Sequence, residues 1–284
     1  ILAVTVNVLI LAINACSSSD GPSSPGTTSK PDTTKVPLTD LSTDPYRGFQ
    51  GGLYPNGANT MPNAHAALGT IFARNIRPLN SAGQSDANGK IVLLSVGMSN
   101  VTQEFCGGGS NTCQSVSFVG QALADPAVDR TRLVIVDGVT AAQVQAVWLK
   151  QATPGPTTPL PATNADAYTI TAGLGPLVRT LKVRYPNLQI VFLSSRIYAG
   201  YAAPGALAGD LRPGVAAPWL SWGPYLWANG TTPRSDGLTW VQSDFASDNT
   251  HPNTGARQKV GALLLGFMKS SPHASCWFLS GRTC

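Results

Sequence analysis

Four short apolar runs constrain the fold of this chain more than any other feature. Residues 91–96, 132–136, 146–149 and 188–193 are nearly continuous apolar stretches with little polar alternation. A strand with one wet face alternates polar and apolar side chains, whereas a strand covered on both faces does not. The runs therefore predict a mainly parallel sheet with helices on both sides. The intervening segments agree. Between the third and fourth runs, apolar side chains at 167, 170, 174, 177, 178 and 181 recur at helical spacing, although Gly173, Gly175 and Pro176 predict a kink or break. A last helix is expected from about residue 253 to 269, with Ala256, Val260, Leu263, Leu264 and Phe267 as its inner stripe. Alternating strands and helices define an α/β class, here a three-layer α/β/α sandwich forming one domain over residues 39–284. Residues 40–89 lack such periodicity, and a turn-rich stretch from 51 to 65 is expected to wrap the surface.

Composition removes several alternatives. Charged residues make up 12% of the chain, about half the usual ~25%, which argues against a coiled coil or helical repeat. The net charge is +5 with the basic residues scattered, the densest cluster being Arg130-Thr131-Arg132. No nucleic-acid partner is expected, because binding normally needs a basic stripe or a recognised module. With three His and no H-E-x-x-H, no metal site is expected. Glu104 is the single glutamate, and no paired-carboxylate signature points to glycoside hydrolysis.

The ends speak to compartment. Residues 1–16 read as the remnant of a signal-peptide apolar region, too short to span a bilayer, which takes ~20 residues. Ile13-Asn14-Ala15-Cys16 resembles a bacterial lipobox, which implies lipidation at Cys16. Residues 17–38 are rich in Ser, Thr, Pro and Gly and read as a disordered tether. Removing Cys16 from the five cysteines leaves four, which allow three pairings. The simplest is local, Cys106 with Cys113 and Cys276 with Cys284, in an exported protein. The membrane is then met only through an N-terminal lipid anchor.

Two places carry chemistry. Gly97-Met98-Ser99-Asn100 follows the first strong strand and precedes a helix, so Ser99 sits at the carboxyl edge of the sheet, where open α/β folds bind ligands. Its N–H would lie at a helix N-terminus, favourable to a developing oxyanion. Ser99 could equally do no more than cap that helix. The second place is Asp248-Asn249-Thr250-His251, on the loop before the last helix. An Asp three residues before a His can orient the ring and stabilise the imidazolium, with a Ser supplied from elsewhere.

Together these two motifs resemble the SGNH (GDSL-type) hydrolase superfamily over about residues 90–270. That resemblance implies a flavodoxin-like α/β/α sandwich, with Gly97-Met98-Ser99 standing for the G-D-S block and Asp248 and His251 for the late D-x-x-H. Gly-Met-Ser-Asn is similar to the G-Q-S-N form of carbohydrate O-acetylesterases in the superfamily. The resemblance implies Ser99 as nucleophile, His251 as base and Asp248 as its orienting partner. Ser99 N–H would supply one oxyanion donor. Ala141 or Ala142 stands where the second block has its Gly, and Gln151 where the third block has its Asn. No cofactor is implied.

Further contacts with substrate are expected at Asn100, Arg196, Tyr198, Trp222 and Trp240. Trp219, Trp222, Trp227 and Trp240 would form either a sugar-stacking wall or ordinary core. Arg196 and Tyr198 would meet either substrate or an Asp of the protein. The expected function is an exported serine esterase acting on a small-molecule or polysaccharide ester, an O-acyl group on a carbohydrate. The rival expectation is a catalytically inactive carbohydrate-binding lipoprotein on the same fold.

Overall fold

The computed structural model describes residues 35–46, 49–107, 112–135, 139–153, 156–197 and 217–284. A short helix α1 (Leu38–Leu41) and a two-stranded antiparallel pair, β1 (Pro45–Tyr46) and β2 (Phe49–Gln50), precede helix α2 (Asn63–Asn75). The main elements then run β3 (Ile91–Gly97), α3 (Ser99–Phe105), α4 (Phe118–Ala124), β4 (Leu133–Val134), β5 (Val144–Lys150), α5 (Asp166–Arg184), β6 (Ile190–Leu193), β7 (Trp219–Trp222), α6 (Thr254–Ser270) and α7 (Ser275–Phe278).

Five strands pair in the order β4-β3-β5-β6-β7, and every pair is parallel. Counted along this sheet the order is 2-1-3-4-5, one of the two common doubly wound orders. The order reverses between β3 and β5, so ligands of such sheets bind beyond the carboxyl ends of these two strands.

Strand residues alternate between two cores, as two covered faces require. Ile91, Leu93, Ala146, Trp148, Ile190, Phe192 and Trp219 pack with α2, α3, α4, α6 and α7. Val92, Val147, Leu149, Val191, Leu193 and Leu220 pack with Leu174, Val178 and Leu181 of α5. Burying each such side chain contributes roughly 1.5–3 kcal/mol, so the sheet is held from both sides.

The structure amends four expectations. The second run forms strand only at Leu133–Val134. The third is longer than its apolar core, Val144–Lys150, and every residue in it is buried. α5 does not break: Leu174, Val178 and Leu181 hold it on the sheet to either side of Pro176, and the Thr180 hydroxyl donates to the Pro176 carbonyl at 2.9 Å. Residues 40–89, read as lacking periodicity, contain α2, whose small buried residues Gly69 and Ala73 leave little hydrophobic signal. Gly69 is needed there, because a Cβ would collide with the Trp219 ring.

Both local disulfides are present, Cys106–Cys113 and Cys276–Cys284. Among the described residues no helix is long and apolar enough to cross a membrane. Cys16 and the tether up to residue 34 lie outside the described residues.

Candidate active site

β3 ends at Gly97 because the chain must pass close to β5: a Cβ there would collide with the Lys150 carbonyl oxygen. Met98 then occupies the N-cap of α3 and Ser99 the first helical position. Capping is therefore not the role of Ser99. Its side chain is exposed and bonded elsewhere, and its N–H is a first-turn donor with no acceptor inside the helix.

The elsewhere is the loop before α6. Ser99 Oγ lies 2.8 Å from His251 Nε2, and His251 Nδ1 lies 2.5 Å from Asp248 Oδ2. Asp248 Oδ1 also accepts the main-chain N–H groups of Thr250 and His251, each at 2.9 Å. Burial pushes the Asp248 carboxyl up, but the bonds from the His251 ring and these two amides outweigh it. The net position is below the ordinary carboxylate range. An ionised Asp248 then fixes Nδ1–H as the His251 donor, leaving Nε2 as an acceptor for the Ser99 hydroxyl.

The loop is rigid for local reasons. Asn249 takes a positive φ of 54° that closes the turn, and Ala246 N–H donates to the His251 carbonyl at 2.8 Å. Asn253 caps α6, accepting from the N–H groups of Gly255 at 2.9 Å and Ala256 at 3.3 Å. Asn100 Nδ2 donates to the Thr250 carbonyl at 2.9 Å, tying α3 to the His251 loop. Asn100 is 2% exposed. The expectation that it meets substrate is therefore corrected: it is a positioning side chain.

The other expected residues divide. Ala141 and Ala142 precede β5, in a 3-10 turn over Ala141–Gln143. Val144 pairs with Val92 near the start of β3, whereas Ser99 follows its end. The two alanines thus sit at the opposite edge of the sheet, where the Ala142 carbonyl accepts from Asn187 Nδ2 at 2.7 Å. They supply no oxyanion donor. Gln151 is on the correct edge, one residue past Lys150, which pairs in register with Gly97. Trp240 is fully buried, its Nε1 donating to the Leu226 carbonyl at 2.8 Å, so it is core and not a substrate contact. Trp219 and Trp227 are buried too, and the sugar-stacking wall is not formed. Arg196 and Trp222 line a cavity of about 860 Å³ that also includes Gln151. Tyr198 lies outside the described residues.

The remaining histidines are occupied by structure. His65 Nε2 lies 2.9 Å from the Leu220 carbonyl, and His273 Nε2 lies 2.9 Å from the Ala66 carbonyl. Among the described residues no group of three or more His, Cys, Asp or Glu is placed to hold a metal ion.

Sequence reasoning missed one feature. Lys150 Nζ lies 2.6 and 2.5 Å from the two Glu104 oxygens, and both side chains are fully buried. Burial drives the glutamate up and the lysine down from their ordinary values, each opposed by the partner charge. The pair fastens α3, one turn past Ser99, to the end of β5. Two signals were available: a lysine closing an apolar run, and the chain's single glutamate five residues after Ser99.

Comparison with protein-family models, with curated proteins and with solved structures returned no match.

Proposed function

We propose that this chain is a serine ester hydrolase of the SGNH kind, built on a three-layer α/β/α sandwich. The observation that carries the reading is the continuous Ser99–His251–Asp248 relay, assembled from the start of α3 and the loop before α6, with Ser99 and His251 152 residues apart in the chain. A serine hydroxyl is a poor nucleophile without a base in hydrogen-bond reach, and here the base is in reach and oriented. Ser99 Oγ attacks the ester carbonyl while His251 Nε2 takes the hydroxyl proton. Asp248 stabilises the imidazolium that forms. The Ser99 N–H, with Gln151 as a side-chain donor, holds the oxyanion. The imidazolium then protonates the departing alcohol, leaving an acyl-Ser99 that water hydrolyses by the same steps in reverse. The alcohol half, from the resemblance, is a carbohydrate hydroxyl. The two disulfides support an oxidising compartment, and with Cys16 as anchor the protein is an exported lipoprotein.

Steady-state turnover of an aryl ester tests the mechanism. Ser99→Ala and His251→Ala each lower kcat by ~10⁴-fold or more, Asp248→Asn by less, and the losses do not add. A folded Ser99→Ala protein with wild-type turnover would remove the nucleophile.

A further inference from the structure

The cavity lined by Gln151 and Arg196, which does not include the three relay residues in its walls, has a composition that the ester chemistry alone does not explain. It is formed by distant parts of the chain: the segment around residues 35–55, the first turns of α5, the ends of β6 and β7, and residues just past β7. Its volume of about 860 Å³ falls in the range of pockets that enclose a drug-sized ligand, far more than an acetyl group needs.

Its walls are apolar by arrangement. The aromatic side chains there have turned their polar ends to the protein. Trp222 Nε1 donates to the Leu53 carbonyl at 2.7 Å, Tyr54 Oη meets Ser221 Oγ at 3.0 Å, and Tyr225 Oη accepts from Leu38 N–H at 3.3 Å. Nearby hydroxyls are also engaged: Ser194 Oγ accepts from Trp148 Nε1 at 2.9 Å, and Ser195 Oγ accepts from Leu226 N–H at 2.8 Å. What these groups offer to the cavity is carbon.

Two side chains at the carboxyl ends of β5 and β6 add polar groups to a lining that also holds Lys35, Gln50, His65, Thr153 and Asp166, whose Oδ2 accepts from the Thr157 and Thr158 N–H groups. Gln151 and Arg196 line the same cavity, and neither has a hydrogen-bond partner for its side chain among the described residues. Gln151 stands at the end of β5, beside the Gly97–Ser99 turn. Arg196 is half-buried and interacts electrostatically with Glu104 and with Asp248 of the relay. Glu104 is already matched by Lys150, so the Arg196 guanidinium is not neutralised at close range. An apolar chamber with a cation and an amide donor just past the carboxyl ends of β6 and β5, the edge of the sheet that carries Ser99, fits the hydrocarbon body of a carboxylic acid entering as its ester.

We infer that this cavity is the acyl subsite, that the acyl group is a medium-chain aliphatic group rather than acetyl, and that Arg196 recognises the carboxylate released. The inference rests on the esterase reading and narrows its substrate. Each methylene moved from water into the chamber multiplies kcat/KM by up to about fourfold. Arg196 adds a charge-assisted bond that the parent alcohol of the same chain length cannot make.

The test has two arms. The first measures kcat/KM of the full chain for 4-nitrophenyl acetate, butyrate, hexanoate and octanoate, in the wild type and in two variants that fill the chamber from α5, Ala167→Phe and Ile170→Trp. The expected result is a rise of at least a hundredfold from acetate to octanoate, and a fall of at least tenfold in the octanoate-to-acetate ratio in each variant. The second arm titrates Ser99→Ala protein with decanoate and with decanol, read by tryptophan fluorescence. Decanoate should bind at least tenfold more tightly than decanol, and Arg196→Gln should erase that preference. A flat or falling chain-length profile with Ser99 still reactive overturns the subsite and leaves the esterase standing. An inert Ser99 with decanoate binding that Arg196→Gln weakens overturns the esterase reading and supports the chamber as a carboxylate site. Decanoate and decanol binding equally, or neither binding, overturns the role of Arg196.

Discussion

Lys150 and Glu104 show what a single position can cost. Two charges removed from water are stable only as a pair: burial drives Glu104 up and Lys150 down, and each partner's charge opposes that drift. Lys150→Met alone leaves a carboxylate in the core and should destabilise by about 3–5 kcal/mol. Glu104→Leu combined with Lys150→Met removes both charges and should recover most of that loss. Urea denaturation midpoints of the three proteins decide it: a double variant as unstable as the single one would show that the pair does more than neutralise itself. At the same scale the Asp248–His251 pair was legible because its relation is local, three residues apart in one turn. Ser99 was legible from its place between an apolar run and a helix. Gln151 was placed on the correct edge, whereas Ala141 and Ala142 were not. Their motif match ignored that a residue just before a parallel strand lies at the sheet's amino edge.

Elements were readable where hydrophobic periodicity was strong. β3, β5, β6 and α6 came through because continuous or 3.6-period apolar residues have few other uses. β7 did not, since Trp219-Leu220-Ser221-Trp222 is four residues long and its tryptophans suggested a binding wall. α2 failed for the opposite reason, its buried face being Gly and Ala. The junction of β3 and α3 offers an element-scale test. Gly97→Ala places a methyl group against the Lys150 carbonyl and the Val101 side chain, so β3 must move off β5 just where Ser99 begins. We expect a loss of about 1–3 kcal/mol in stability together with a drop in kcat. Unchanged kinetics in Gly97→Ala would show that the Ser99 turn does not depend on this close approach.

At the scale of the whole molecule, the two disulfides close short local loops and do not join distant elements. A bridge closing so short a loop contributes roughly 2.5 kcal/mol by the chain-entropy estimate. Replacing Cys276 and Cys284 by Ser should therefore lower stability by about that amount. It should leave kcat intact, since the bridge joins the segment after α6 and lies apart from the relay. A drop in kcat at unchanged stability would contradict this. The cavity walls were the least legible part of the molecule. They draw on residues 35 to 227, and no local pattern announces a surface assembled from five separate stretches.

The account turns on whether His251 activates Ser99. Treatment of the full chain with a fluorophosphonate, followed by peptide mass mapping, reads that directly, because the reagent phosphonylates only an activated serine. One adduct is expected, on Ser99, formed rapidly by the wild type, lost in Ser99→Ala and slowed by orders of magnitude in His251→Ala. No adduct on the folded wild type, an adduct on another serine, or equal labelling after His251→Ala would contradict it.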